Sequence, residues 1–140
     1  EVAHLITRGA AGRATTFTDV FAALHLRRSA TTAIDSQAVT RLLDTNSAST
    51  QKARTVLAEA ISDVIAGLVA FTDPQLVVIG GTWGPHPALL EMIDEELQRQ
   101  PRQVEIRGAR VTTEPSLAGA RQHALDQLRR LVLDRAAAST

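Results

Sequence analysis

The sequence contains no cysteine and no tyrosine, and its aromatic residues are one tryptophan and three phenylalanines. The absence of cysteine excludes disulfide bonds, thiolate catalysis and cysteine-ligated zinc. Neither positive nor negative charge is in excess, because the chain has 15 basic and 15 acidic residues. A chain without excess positive charge has no overall field to hold a polyanion. We therefore do not expect these residues to bind nucleic acid by themselves.

Long apolar runs are also absent, because charged residues or glycines interrupt every stretch well before the roughly 18 residues that a membrane span needs. The first residues, Glu1–Leu5, lack the basic and apolar regions of a secretory signal. We therefore expect a cytoplasmic protein that does not contact a membrane. The start at Glu1, without an initiator methionine, predicts that the chain is part of a longer protein.

Composition divides the chain near residue 50. Residues 1–50 are rich in Ser and Thr and predict a loop-rich segment with two short helices, about Thr18–Arg27 and Ser36–Asp44, the second capped by Ser36. Residues 51–140 predict an α/β lobe. It opens with a core helix over Thr50–Phe71, where apolar residues recur at helical spacing until Asp73-Pro74 ends the pattern.

Two strands and two further helices follow in alternation. Leu76–Ile79 is uniformly aliphatic, which predicts a strand covered on both faces. A helix over about Pro87–Arg99 leads to a half-exposed strand over Gln103–Arg107, and the last helix spans about Leu117–Arg135. This order predicts an α/β fold with right-handed crossovers. Since two strands do not make a stable sheet, we expect further strands upstream or from a partner.

Glycine motifs carry a more specific signal in this half of the chain. Asp73-Pro74 precedes the aliphatic strand and Gly80-Gly81, and Gly119-Ala120 opens the last helix. Both motifs, over about residues 50–134, resemble those of the ROK family of repressors, open reading frames and sugar kinases. The resemblance implies the C-terminal part of an actin-like, ribonuclease H-like domain of the sugar kinase and Hsp70 type. Because the glycine pair abuts ATP in the family's kinases, Gly80 and Gly81 are either nucleotide-proximal or a structural turn.

The start of the chain is similar to another motif of the same family. Glu1-Val2-Ala3-His4 resembles E-x-G-H, whose Glu and His bind sugar hydroxyls and whose His also holds a structural zinc. The resemblance implies that Glu1 and His4 are sugar-binding residues. The alternative is that they are only the frayed beginning of the chain.

The family's zinc loop, which is rich in cysteine, corresponds to residues 9–18. Gly9, Ala11 and Thr16 stand where the thiolates would be, and none of them offers a soft anionic ligand. We therefore expect no metal site. Thr18 replaces a sugar-binding Glu, and the neighbouring Asp19 is the candidate to take over its role.

Other candidate residues have ordinary structural explanations. Trp83 is either a stacking platform for a ligand or a packing residue against the next helix. His25, His86 and His123 have no partner at metal-ligand spacing. The arginines of the last helix alternate with aspartates, which is typical of a solvated face.

Three functions remain open. The first is the C-terminal, effector-binding and oligomerising part of a ROK-type transcriptional regulator, which binds a sugar or sugar derivative without chemistry and reaches DNA only through an upstream domain. The second is the C-terminal half of an ATP-dependent ROK sugar kinase. The third is a module for homo-oligomer assembly only. In the family's kinases the phosphate loop and the catalytic Asp precede the E-x-G-H motif, so we expect this chain to be non-catalytic and without a cofactor.

Overall fold

The computed structural model describes residues 4–9, 12–28, 31, 33–111 and 114–138, with side chains up to residue 135. Two compact units are formed, Glu1–Ala109 and Arg110–Thr140. The elements in chain order are β1 (Ile6–Arg8), β2 (Ala14–Thr16), α1 (Phe17–Ala23), α2 (Ser36–Asp44), α3 (Ala48–Thr72), β3 (Leu76–Ile79), α4 (Pro87–Gln98), β4 (Glu105–Gly108) and α5 (Pro115–Ala138).

Helix α3 is the centre of the first unit. Ser47 begins it with a capping box, in which Ser47 and Thr50 satisfy each other's backbone N–H groups. Asp73 ends it in a left-handed conformation before Pro74. The helix packs against α1, α2, α4 and β1. It begins two residues before and ends one residue after the predicted Thr50–Phe71, and its role in the core is as predicted.

By length and mean hydropathy (1.6), α3 also passes as a possible membrane span, the one such helix in the described part of the chain. Its apolar composition has a local explanation. Leu57, Ile61 and Ile65 are buried in the core of the first unit. Their burial against neighbouring elements is what a core helix requires.

All four described helices of the first unit contribute side chains to its core. Its fully buried side chains come from α1, α2, α3 and α4, and the largest of them are Phe21, Leu43, Leu57, Leu89 and Ile93. Arg54 of α3 is 8% exposed and donates from Nε to the Leu42 carbonyl oxygen at 3.0 Å. This bond fastens the last turn of α2 to α3 and satisfies a carbonyl group that the helix end leaves unpaired.

Strands β3 and β4 pair in parallel, and α4 connects them. Leu76 lies opposite Glu105, and Ile79 lies opposite Gly108. Val77, Ile79 and Ile106 pack against the core. The prediction that β3 is covered on both faces is wrong for the described chain, since Leu76 and Val78 are 40% and 57% exposed. The reason is that successive side chains of a strand alternate between faces, so Leu76 and Val78 lie on the face opposite Val77 and Ile79.

The first 50 residues are more ordered than their composition suggests. Strands β1 and β2 form an antiparallel hairpin that the sequence did not predict. Helix α1 stops short of Arg27, because His25 has a φ of 56°, which an α-helix cannot contain. Helix α2 has the predicted bounds, but its cap is Asp35, which accepts from the N–H groups of Gln37 and Ala38.

The second unit consists of helix α5, which the sequence predicts within a few residues at each end. Its large apolar side chains are exposed, namely Leu117, Leu125, Leu128, Leu131, Val132 and Leu133.

Candidate functional site

The β1–β2 hairpin replaces the predicted loop at the start of the chain. Its turn closes on itself, because the Gly9 N–H donates to the Arg13 carbonyl at 2.9 Å and the Gly12 N–H to the Gly9 carbonyl at 3.0 Å. Gly12 has a φ of 69°, which favours glycine. A Cβ atom on Gly9 would lie 2.9 Å from Thr15 Cγ2, so glycine also permits the close approach of the two strands.

An ion pair attaches this hairpin to α3. Arg8 Nη2 lies 2.7 Å from Asp63 Oδ1, its Nε lies 3.0 Å from Oδ2, and its backbone N–H donates to Oδ2 at 2.9 Å. Thr7, only 4% exposed, shares its hydroxyl proton between the Ala60 carbonyl oxygen and Asp63 Oδ2. A carboxylate with this many donors is held in one orientation, and it positions the hairpin on the helix.

The same contacts set the charge state of Asp63. Partial burial by itself raises the pKa of the Asp63 carboxyl, but the hydrogen bonds and charge of Arg8 and the hydroxyl of Thr7 outweigh it, and the pKa lies below its usual value. The hydrogen bond to Asp63 raises the pKa of Arg8 above its already high ordinary value. Both groups are therefore ionised at neutral pH.

We expect Asp63→Asn to lower the free energy of unfolding by about 1–2 kcal/mol at pH 7, because the amide keeps the shape but loses the charge that Arg8 binds. A carboxyl with a lowered folded-state pKa contributes its stability above the unfolded value of about 3.9 and loses it as the pH falls below that value. The difference between wild type and variant in urea unfolding should therefore shrink below about pH 4. Glu91→Gln, at an exposed carboxylate without a described partner, is the control. A difference independent of pH would contradict the ion pair.

A cavity of about 460 Å³ lies between the hairpin, α1 and α3. Val20, Leu24 and Val56 supply apolar surface, and Asp19 and Arg13 supply one group of each charge. The size is in the range that small organic ligands occupy. A carboxylate beside an apolar surface is an arrangement that can bind a sugar ring, since the carboxylate accepts from hydroxyls and the C–H face packs on the aliphatic side chains.

Asp19 lines this cavity and also takes part in the start of α1. Its Oδ2 accepts from the Thr16 hydroxyl at 2.7 Å, and its backbone N–H donates to Thr16 Oγ1 at 3.2 Å. These bonds fix the carboxylate at the rim of the helix. One carboxylate oxygen, Oδ1, has no described protein donor, which leaves it available to a ligand hydroxyl.

Of the other two predicted sugar-binding residues, His4 does not line this cavity. His4 is exposed before β1. The next residue, Leu5, accepts from the Phe17 N–H at 2.9 Å, so the two segments that carry His4 and Asp19 are neighbours. Glu1 lies outside the described residues, and its role stays a prediction.

Gly80 and Gly81 form the turn after β3, separate from the cavity at Asp19. Gly81 has a φ of 91°, which requires a residue with the freedom of glycine. The turn then packs on itself, because a Cβ atom on buried Gly84 would overlap the Gly80 carbonyl oxygen. These contacts explain why glycine is needed in this turn for structure alone, and a role of Gly80 and Gly81 in nucleotide binding stays a prediction.

Trp83, in the same loop, packs in the core region rather than standing free. Its ring lies 5.9 Å from that of Phe21, which in turn meets Phe17 edge-on at 5.1 Å. His86 Nε2 is 3.1 Å from Asp44 Oδ1, and this contact joins the start of α4 to the end of α2. The loop after β3 is therefore connected to both α1 and α2.

Comparison with known proteins decides the family. The family model of ROK matches residues 10–127, which is most of the chain. The chain belongs to the ROK family. No curated protein gives a significant match. The match begins well before residue 50, so β2, α1 and α2 lie within the matched region. The mixed α/β structure agrees with the family fold.

The structural zinc that the ROK resemblance implies does not fit this member. Thr16 uses its hydroxyl to cap α1, Gly9 closes the hairpin turn, and Ala11 lies outside the described residues. No cluster of His, Asp and Glu suited to a metal is present among the residues that the structure describes. The hairpin is instead held by its own backbone and by the Arg8–Asp63 ion pair.

Sequence reasoning missed two parts of this site. Arg13 carries no motif that separates it from the other arginines. Arg8 and Asp63 are 55 residues apart, and nothing local to either residue indicates the pairing. Only the packing of the hairpin on α3 brings them together.

Proposed function

We propose that this chain is the effector-binding and oligomerising C-terminal part of a cytoplasmic, sugar-responsive transcriptional regulator of the ROK family. In this proposal it binds a sugar or sugar derivative without chemistry, and DNA is bound by an upstream domain. The observation that carries the proposal is the cavity between the hairpin, α1 and α3, with the Asp19 carboxylate at its rim. The absence of the thiolates and of the glutamate expected at Thr18 supports a site that recognises sugars but has diverged from the kinases.

The alternative, the C-terminal half of an ATP-dependent sugar kinase, is supported by the turn at Gly80 and Gly81. Thr82, the next residue, lines an open depression of about 420 Å³ together with residues of α2. A turn without Cβ atoms beside an open surface suits the close approach of a nucleotide. Such an enzyme would also need a phosphate-binding loop, Mg²⁺ and a base from elsewhere in the protein.

Assembly as the sole role is supported by exposed apolar residues of the first unit. Phe71 is 91% exposed, and Leu76 and Val78 of β3 are also open. Patches of this kind are typical of interaction surfaces.

The test is isothermal titration of the intact protein with glucose, galactose, mannose, N-acetylglucosamine and their 6-phosphates, with operator-binding assays alongside. We expect at least one of these compounds to bind and to change DNA affinity. Asp19→Asn should weaken that binding about tenfold, because the amide oxygen can still accept from Thr16 but the charge that attracts hydroxyl protons is lost.

The matched control is Glu91→Gln, which removes an exposed carboxylate of the same unit that does not line the cavity. If the intact protein phosphorylates a sugar with ATP at ordinary enzyme rates, the regulator proposal is contradicted and the kinase alternative is supported. Normal sugar binding by Asp19→Asn would show that the cavity is not the effector site.

A further inference from the structure

The cavity at Asp19 contains one charged group that the proposed function does not use. Arg13 lines the cavity, and its exposed side chain has neither an ion pair nor a hydrogen bond among the described residues. Arg8, on the same hairpin, differs in this respect, because its guanidinium is bound through two nitrogens to Asp63. The hairpin therefore presents one neutralised arginine and one that is available.

The two charges of the cavity are not paired with each other. Asp19 accepts from Thr16 and makes no ion pair with Arg13. A ligand that satisfies both groups needs hydroxyls for the carboxylate and an anionic substituent for the guanidinium. Between them, Val20, Leu24 and Val56 offer an apolar surface suited to the C–H face of a ring.

Resting on the proposed function, we infer that the effector is an anionic sugar whose phosphate or carboxylate is bound by Arg13 while its hydroxyls face Asp19. The planar guanidinium can donate two parallel hydrogen bonds to a phosphate or carboxylate and pair with its negative charge. A neutral hexose has no anionic group for such a pair. The negative charge of Asp19 orients the ligand, since it repels an anionic group placed at its end of the cavity.

The experiment compares neutral hexoses, their 6-phosphates, the corresponding uronic acids and inorganic phosphate on the intact protein. Binding is followed by titration calorimetry. We expect an anionic sugar to bind about tenfold more tightly than its neutral parent. Arg13→Gln should abolish that difference. The phosphate and uronate arms distinguish which anionic group is recognised.

Arg28→Gln is the matched control, because Arg28 is exposed, has no side-chain partner among the described residues and does not line the cavity. Equal binding of neutral and anionic sugars would overturn the inference and leave the proposed function standing. Inorganic phosphate that binds as tightly as the sugar phosphates, or an unchanged preference in Arg13→Gln, would also overturn it. If no sugar in the panel binds, the proposed function itself fails.

Discussion

Replacing Phe21 with alanine should lower the free energy of unfolding by about 3–5 kcal/mol. The side chain is fully buried and lies between Phe17 of α1 and Trp83 of the loop after β3. Its removal deletes a large apolar contact and leaves a cavity that neighbouring elements fill only in part. Urea unfolding, monitored by circular dichroism, measures the loss. The Trp83 fluorescence of the folded variant should change as well, because the ring loses its aromatic neighbour.

The control for this prediction is the same substitution at Phe71, which is 91% exposed. We expect Phe71→Ala to change the free energy of unfolding by no more than about 0.5 kcal/mol. Equal losses in the two variants would contradict the burial that distinguishes them.

Gly84→Ala should be nearly as damaging, with an expected loss of about 3 kcal/mol. Gly84 is buried, and an added Cβ atom would overlap the Gly80 carbonyl oxygen and lie 3.0 Å from Ile79 Cγ2. A backbone oxygen cannot move aside as a flexible side chain can, so the turn after β3 would have to shift. Thermal and urea unfolding of the variant measure the loss.

Gly67→Ala is the opposite case and the control. Gly67 lies inside α3, and nothing outside its own helix lies within 4 Å of the position of an added Cβ atom. Alanine should stabilise the helix here by about 0.5–1 kcal/mol. A loss of stability in Gly67→Ala, or a neutral Gly84→Ala, would contradict the packing described for these two glycines.

The helices and strands of the second half of the chain were predictable because each carries its own local signal. Proline and glycine mark the ends of α3 and β3, and the apolar spacing of α4 is that of a helix with one buried side. The family resemblance, which rests on the same motifs, is confirmed by the ROK match. The branch of the family stays a proposal.

The candidate site was only partly predictable. Asp19 was named from its place beside Thr18, and it does line a cavity. The sequence did not indicate its partner Thr16, the guanidinium of Arg13 without a partner in the described part of the chain, or the hairpin that carries both residues. Three-residue strands are too short to show an alternating pattern, and a turn held by backbone bonds needs few particular side chains.

What the sequence alone determines is the part of this protein that depends on neighbouring residues: the order of helices and strands, the absence of thiolate ligands and the membership suggested by the glycine motifs. The tertiary structure decided which distant groups meet, such as Arg8 with Asp63 and Phe21 with Trp83. It also placed Arg13 and Asp19 at one cavity, where they are not paired with each other. The physical reason is that hydrophobic burial is not directional, so the same apolar pattern permits many pairings until all the elements pack together.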